Sequence, residues 1–219
     1  MKIQARSCTM LLSISTLVLA TPLVATAQEQ RLVGRLSDAV RPQVDGVLDS
    51  ARTAGLPTEP IVDRALEGAA KGAPDNLIVV AVRRLWGELL TAREAFGDEA
   101  SASEITAGAS ALRAGAAEAD LTELRTLRAG QPLTIAAATL ADLVAAGVPA
   151  DTAIGAVLAL AGTTDDAEYI AFRRNVERDI ALGASPEASL AVRLRATADA
   201  AGPASESGGL GTSSRRRKP

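Results

Sequence analysis

Histidine is absent from this chain, and cysteine occurs once, as Cys8 near the N-terminus. With no imidazole anywhere and no thiol after Cys8, the body cannot build a histidine-assisted nucleophile, a disulfide, or a thiolate or imidazole metal site. Lysine is almost as scarce: between Lys2 and Lys218 only Lys71 occurs, which leaves little material for a serine–lysine dyad. Aromatic residues make up 2% of the sequence against 47% hydrophobic residues overall. A core must therefore be assembled from Ala, Leu, Val and Ile rather than from large rings, which bury the most area per residue. A phosphate-cradling loop is also missing, because Gly208-Gly-Leu-Gly211 follows no strand and precedes no helix.

What is present favours helix. Ala is the strongest helix former and Leu follows closely. The formal net charge is −3; setting aside Lys2 and Arg6 with an N-terminal signal, and the basic cluster Arg215, Arg216, Arg217 and Lys218, leaves 17 basic against 26 acidic residues. An acidic body with a short basic end argues against nucleic-acid binding. The first 27 residues read as a signal peptide, with Lys2 and Arg6 in front, an apolar run from Met10 to Ala20, Pro22, and Ala25-Thr26-Ala27 as a small-x-small cleavage pattern. We expect an exported protein, periplasmic or secreted, with no transmembrane segment after cleavage.

Four Gly-x-Pro turns punctuate the chain: Gly55-Leu56-Pro57, Gly72-Ala73-Pro74, Gly130-Gln131-Pro132 and Gly147-Val148-Pro149. Glycine closes one helix in the left-handed conformation, and proline then stops it and pre-sets the next. The glycines fall in two pairs, each 17 residues apart (72 − 55, 147 − 130). That spacing leaves about 12 residues in helix, close to the mean helix length. The segment from Ala54 to Leu66 also resembles that from Ala146 to Leu158. Asp120 with Glu123, and Ser185 with Pro186, read as helix starts. Apolar stripes at helical spacing run through Ile61, Ala65, Leu66 and Ala69, through Leu77, Ala81, Leu85 and Leu89, and through Tyr169, Phe172, Val176 and Ile180. The expected fold is all-α: short antiparallel helices joined by Gly-x-Pro turns, either a solenoid-like helical repeat or a small irregular bundle.

The run Gly55-Leu-Pro-Thr-Glu-Pro-Ile, then Leu66-Glu-Gly-Ala-Ala-Lys-Gly-Ala-Pro74, then Ile78 and Val82, resembles a pattern in uncharacterised exported bacterial helical proteins. Its signature residues are turn and packing residues, so the resemblance implies a helical fold and no particular activity.

The expected organisation is a signal at 1–27, a helical part at 28–96, a candidate linker at 97–109, a second helical part at 110–201, and a disordered Gly/Ser tail at 202–219 ending in Arg215–Lys218. Asp165, Asp166 and Glu168 form the densest acidic group, but adjacent carboxylates cannot face one another, and the group reads as a helix N-terminus with Thr163 and Thr164 as caps. No catalytic, metal or cofactor-binding residue is expected, and the chain is not read as an enzyme. The candidate binding residues are Trp86 with Arg83 and Arg84, as a stacking platform, and Arg215, Arg216, Arg217 and Lys218, as a contact for anionic surfaces. The functional expectation is a binding or structural helical-repeat protein whose partner is an unidentified protein or envelope component. A carrier of an apolar ligand is the alternative, and a carboxylate-dependent hydrolase a distant third.

Overall fold

The computed structural model describes residues 30–201, so the expected signal peptide and the basic tail lie outside the described residues. After a helical turn at 30–32, nine helices follow among the described residues: α1 (Arg41–Thr53), α2 (Glu59–Ala70), α3 (Asp75–Phe96), α4 (Ala102–Ala114), α5 (Glu118–Leu127), α6 (Thr134–Ala145), α7 (Ala150–Leu160), α8 (Asp166–Ala181) and α9 (Pro186–Ala201). The fold is all-α, and no strand occurs among the described residues.

The helices stack in two layers. In one, α1, α3, α5, α7 and α9 each pack on the next of the series; in the other, α4 packs on α6 and α6 on α8. The layers are joined through α2–α3, α3–α4, α6–α7 and α8–α9. Among the described residues no main contact links α1–α3 to α6–α9, which is the serial arrangement of a helical repeat rather than of a closed bundle.

Turn chemistry explains the repeat. At Gly72, Gly115, Gly147 and Gly183, each between an even-numbered helix and its successor, φ is positive. In all four the next residue donates its N–H five residues back, as in Ala73 N to Gly68 O at 3.0 Å and Val148 N to Leu143 O at 3.0 Å. The glycine N–H donates three residues back, completing the Schellman closure that satisfies the last carbonyls of a helix. Proline or serine then opens the following helix in three of the four cases, and Ala117 opens α5; Pro74 (φ −54°, ψ 142°) and Pro149 (φ −56°, ψ 139°) have nearly the same conformation. Helices α6 and α7 begin 75 residues after α2 and α3 (134 − 59, 150 − 75), so these hairpins are equivalent units. The likeness of Ala54–Leu66 to Ala146–Leu158 is different in kind, because it pairs α2 with α7, which lie in opposite layers.

Two expectations are corrected. Residues 97–109, read as a candidate linker, hold the α3–α4 turn and the first half of α4, where Ile105, Gly108 and Ala109 are buried. A Cβ placed on Gly108 would stand 2.7 Å from the Phe96 ring and 2.9 Å from the Ala92 Cβ, so α4 lies directly on α3 there. The small polar residues of this stretch are helix-start chemistry: the Ser101 hydroxyl and the Glu104 carboxylate accept each other's backbone N–H. In α3 the buried face is Ile78, Val79, Val82, Leu85 and Leu89, with Leu77 exposed.

Candidate functional site

Helices α2 and α4 are in the same layer but touch only sparsely, and the gap between them is a cleft. Its wide part, about 600 Å³, is lined by Pro57, Pro60 and Asp63 from the α2 side, by Ser103, Thr106 and Ala107 of α4, and beyond these by α6. Its narrow part, about 320 Å³, shares Pro60, Asp63, Thr106 and Ser110 with the wide part, so the two are continuous. The narrow part reaches through the layer to Leu85 of α3. Sequence dictates the shape: α4 presents Ala, Ser and Thr where a larger side chain would fill the space, and the prolines at the start of α2 have no N–H to offer.

Charge is unevenly spread along the cleft. Glu59, Asp63 and Asp142 line the wide part, and no basic residue does. Arg31 donates to both Glu59 and Asp63, the latter at 2.8 Å, and Arg173 reaches Asp142 from α8. These carboxylates nevertheless keep roughly half their side-chain surface open to solvent (52%, 58% and 41%). The narrow part is mixed: Glu67 accepts from Lys71 at 2.6 Å and Arg64 at 3.0 Å, and Arg113 reaches away to Glu88 at 2.8 Å. The Lys71 hydrogen bond, then the attraction of Arg64, hold the Glu67 carboxyl below its ordinary range.

The strongest polar feature lies elsewhere and was not anticipated from sequence. Arg128, 1% exposed, donates from Nε to Pro132 O (3.1 Å), from Nη1 to Thr164 O (2.7 Å) and from Nη2 to Asp166 Oδ1 (2.7 Å), with its guanidinium 5.1 Å from the Tyr169 ring centre. The Tyr169 hydroxyl donates to Val157 O at 2.7 Å. Burial pushes the Tyr169 phenol up to about 12, against the opposing pull of Arg128. Arg128 thus ties the α5–α6 turn to the α7–α8 turn, two turns without the Schellman pair. Each of its three guanidinium nitrogens donates to the protein, which makes it a brace.

The acidic group at the α8 start is a cap, as expected, although Asp165 rather than a threonine is the capping residue: it accepts from Glu168 N, and Glu168 accepts from Asp165 N, both at 2.8 Å. Asp120 likewise sits inside the first turn of α5 and accepts from Ala117 N at 2.7 Å, so that helix starts earlier than its sequence signal implied. Among the described residues no group of three or more potential metal ligands occurs. Trp86 is half-buried against the core, and its indole N–H has no acceptor among the described residues. Arg83 donates to Gln43 at 3.2 Å and Arg84 to Glu88 at 2.9 Å, and none of the three lines the cleft. The other candidates, Arg215, Arg216, Arg217 and Lys218, lie outside the described residues. No described helix is long and apolar enough to cross a membrane. The chain matches no protein-family model, no curated protein and no solved structure.

Proposed function

We propose that this chain is an exported helical-repeat protein with a binding role, and that the α2–α4–α6 cleft holds a segment of a partner protein. The observation that carries this reading is the asymmetry of the cleft: small and apolar floor, three carboxylates and no cation along its wide part. Such a surface fits a segment that offers apolar side chains to the floor and Lys or Arg to the rim. Rim charges steer and orient a partner more than they add affinity, so the expected binding is of modest strength and sensitive to salt. An open surface cleft also favours a protein segment over the apolar-ligand carrier, which needs an enclosed cavity.

The test uses two designed 15-residue amphipathic peptides, one of Leu and Lys and one of Leu and Glu, titrated against the full chain by isothermal calorimetry. The Lys peptide is expected to bind and the Glu peptide not. Thr106→Trp, which fills the floor, should weaken binding at least about tenfold, equivalent to roughly 1.4 kcal/mol. Val80→Trp, on an exposed position outside the cleft, should leave it unchanged. Equal binding of the two peptides, or indifference to Thr106→Trp in a chain of unchanged helicity, would contradict the reading.

A further inference from the structure

A stacked repeat ends somewhere, and its last unit exposes a face that in inner units is covered by the next helix. Among the described residues the last helix is α9. It buries Ser189 and Leu190 towards α7 and α8, and Arg193 holds Asp179 of α8 through two hydrogen bonds (2.6 and 2.9 Å). Its opposite face, carrying Ala188, Ala191, Val192 and Arg195, is exposed and packs on nothing among the described residues. Of the large apolar side chains exposed among the described residues, the two most exposed belong to this hairpin: Leu182 at 82% and Val192 at 62%.

We infer that α9 docks antiparallel against α9 of a second copy, across a two-fold axis passing Ala191, with Glu187 of each copy meeting the partner's Arg195. Three observations choose this occupant. The first is register: in an antiparallel pair related by a two-fold axis at residue 191, positions equally far on either side face one another. That places Glu187 opposite the partner's Arg195 and sets Ala191 on Ala191 of the partner subunit, where two small side chains allow close approach of the helices. Glu187 and Arg195 are both exposed, and neither hydrogen-bonds or pairs within the described chain. The second is charge. From Asp166 to Asp199 five arginines stand against six carboxylates, so this end is close to neutral while the body as a whole is acidic, and two copies meet here with little net repulsion. The third is the chain that follows. Residues 202–219 start at the end of α9 and include one large apolar residue, Leu210, among Gly, Ser, Ala, Pro, Thr, Glu, Arg and Lys, so they lack the apolar side chains to cover this face themselves.

One helix of 16 residues is about 24 Å long, and a single face of that length lies at the small end of specific interfaces, so the association is a weak one. Sedimentation velocity of the full chain from about 5 to 500 µM should show a monomer passing to a dimer. Glu187→Arg sets like charges against each other and should weaken the dimer at least about tenfold. The exchanged pair Glu187→Arg with Arg195→Glu should return it to within about threefold of the original. Ala191→Glu, at the axis, should leave a monomer of unchanged helicity by circular dichroism. A monomer throughout the range, a dimer indifferent to Ala191→Glu, or an exchanged pair no stronger than Glu187→Arg alone would overturn the inference.

Discussion

The α2–α3 and α6–α7 hairpins share one frame and are filled with different material. In both, a first helix of 12 residues closes through a positive-φ glycine and the chain restarts from a proline of the same conformation, 75 residues apart. Inside, Ile61, Val62 and Ile78 of the first stand where Ala136, Ala137 and Ala153 occupy the second. Backbone geometry in the repeat therefore follows from turn chemistry, and the side chains between the turns are free to differ. The alanine-lined unit buries less area of its own, and it is the one that Tyr169 and Phe172 of α8 and the buried guanidinium of Arg128 adjoin. The first hairpin is held by apolar volume, the second by a polar brace at its flanking turns.

That contrast can be broken most sharply at Arg128. Replacing it with Met removes the donors to Pro132 O, Thr164 O and Asp166 and should cost about 3–5 kcal/mol in urea unfolding, because the acceptors it leaves unpaired cost about 1–3 kcal/mol each. The matching lesion in the first hairpin, Ile61→Ala, should cost about 2–5 kcal/mol through the cavity it leaves. The reverse change, Ala136→Ile, should not stabilise the second hairpin but cost about 1–3 kcal/mol, because its space is already taken.

Tyr169 sharpens the comparison through pH. Below about pH 10, the ordinary phenol value, the ring is neutral folded and unfolded alike. Between pH 10 and the folded value of about 12, the unfolded chain loses the proton and the folded one keeps it, so stability falls as pH rises. The loss should approach about 2 kcal/mol by pH 12 and be absent from Tyr169→Phe, measured by chemical unfolding at each pH. The smallest effect expected is at Gly108. Alanine there gains about 1 kcal/mol of helix propensity but collides with Phe96 and Ala92, for a net loss of about 1–2 kcal/mol in thermal or urea unfolding.

The fold was legible where local chemistry decides it. Gly55, Gly72, Gly130 and Gly147 mark four turns, and Ser185 caps α9 with its side chain accepting from Ala188 N at 3.3 Å. The 97–109 stretch misled because Ser101, Ser103 and Glu104 look like linker residues while serving as a helix start, and because Gly108 is a contact residue whose value shows only once α3 lies against it. The cleft was not legible at all: its floor is made by residues that are small, and a sequence shows where side chains are but not which neighbours stand apart. Arg128 carried no local signal either, since its partners Thr164 and Asp166 are more than 30 residues away.

The central claim is that this is a serial stack in which neighbours, rather than one shared core, hold each unit. Hydrogen–deuterium exchange by mass spectrometry on wild type and Arg128→Met, under native conditions, addresses it directly. A serial stack predicts faster exchange in α5 to α8 of the variant, with the amides of α2 and α3 exchanging as in wild type. A uniform loss of protection from α2 through α8 would contradict it.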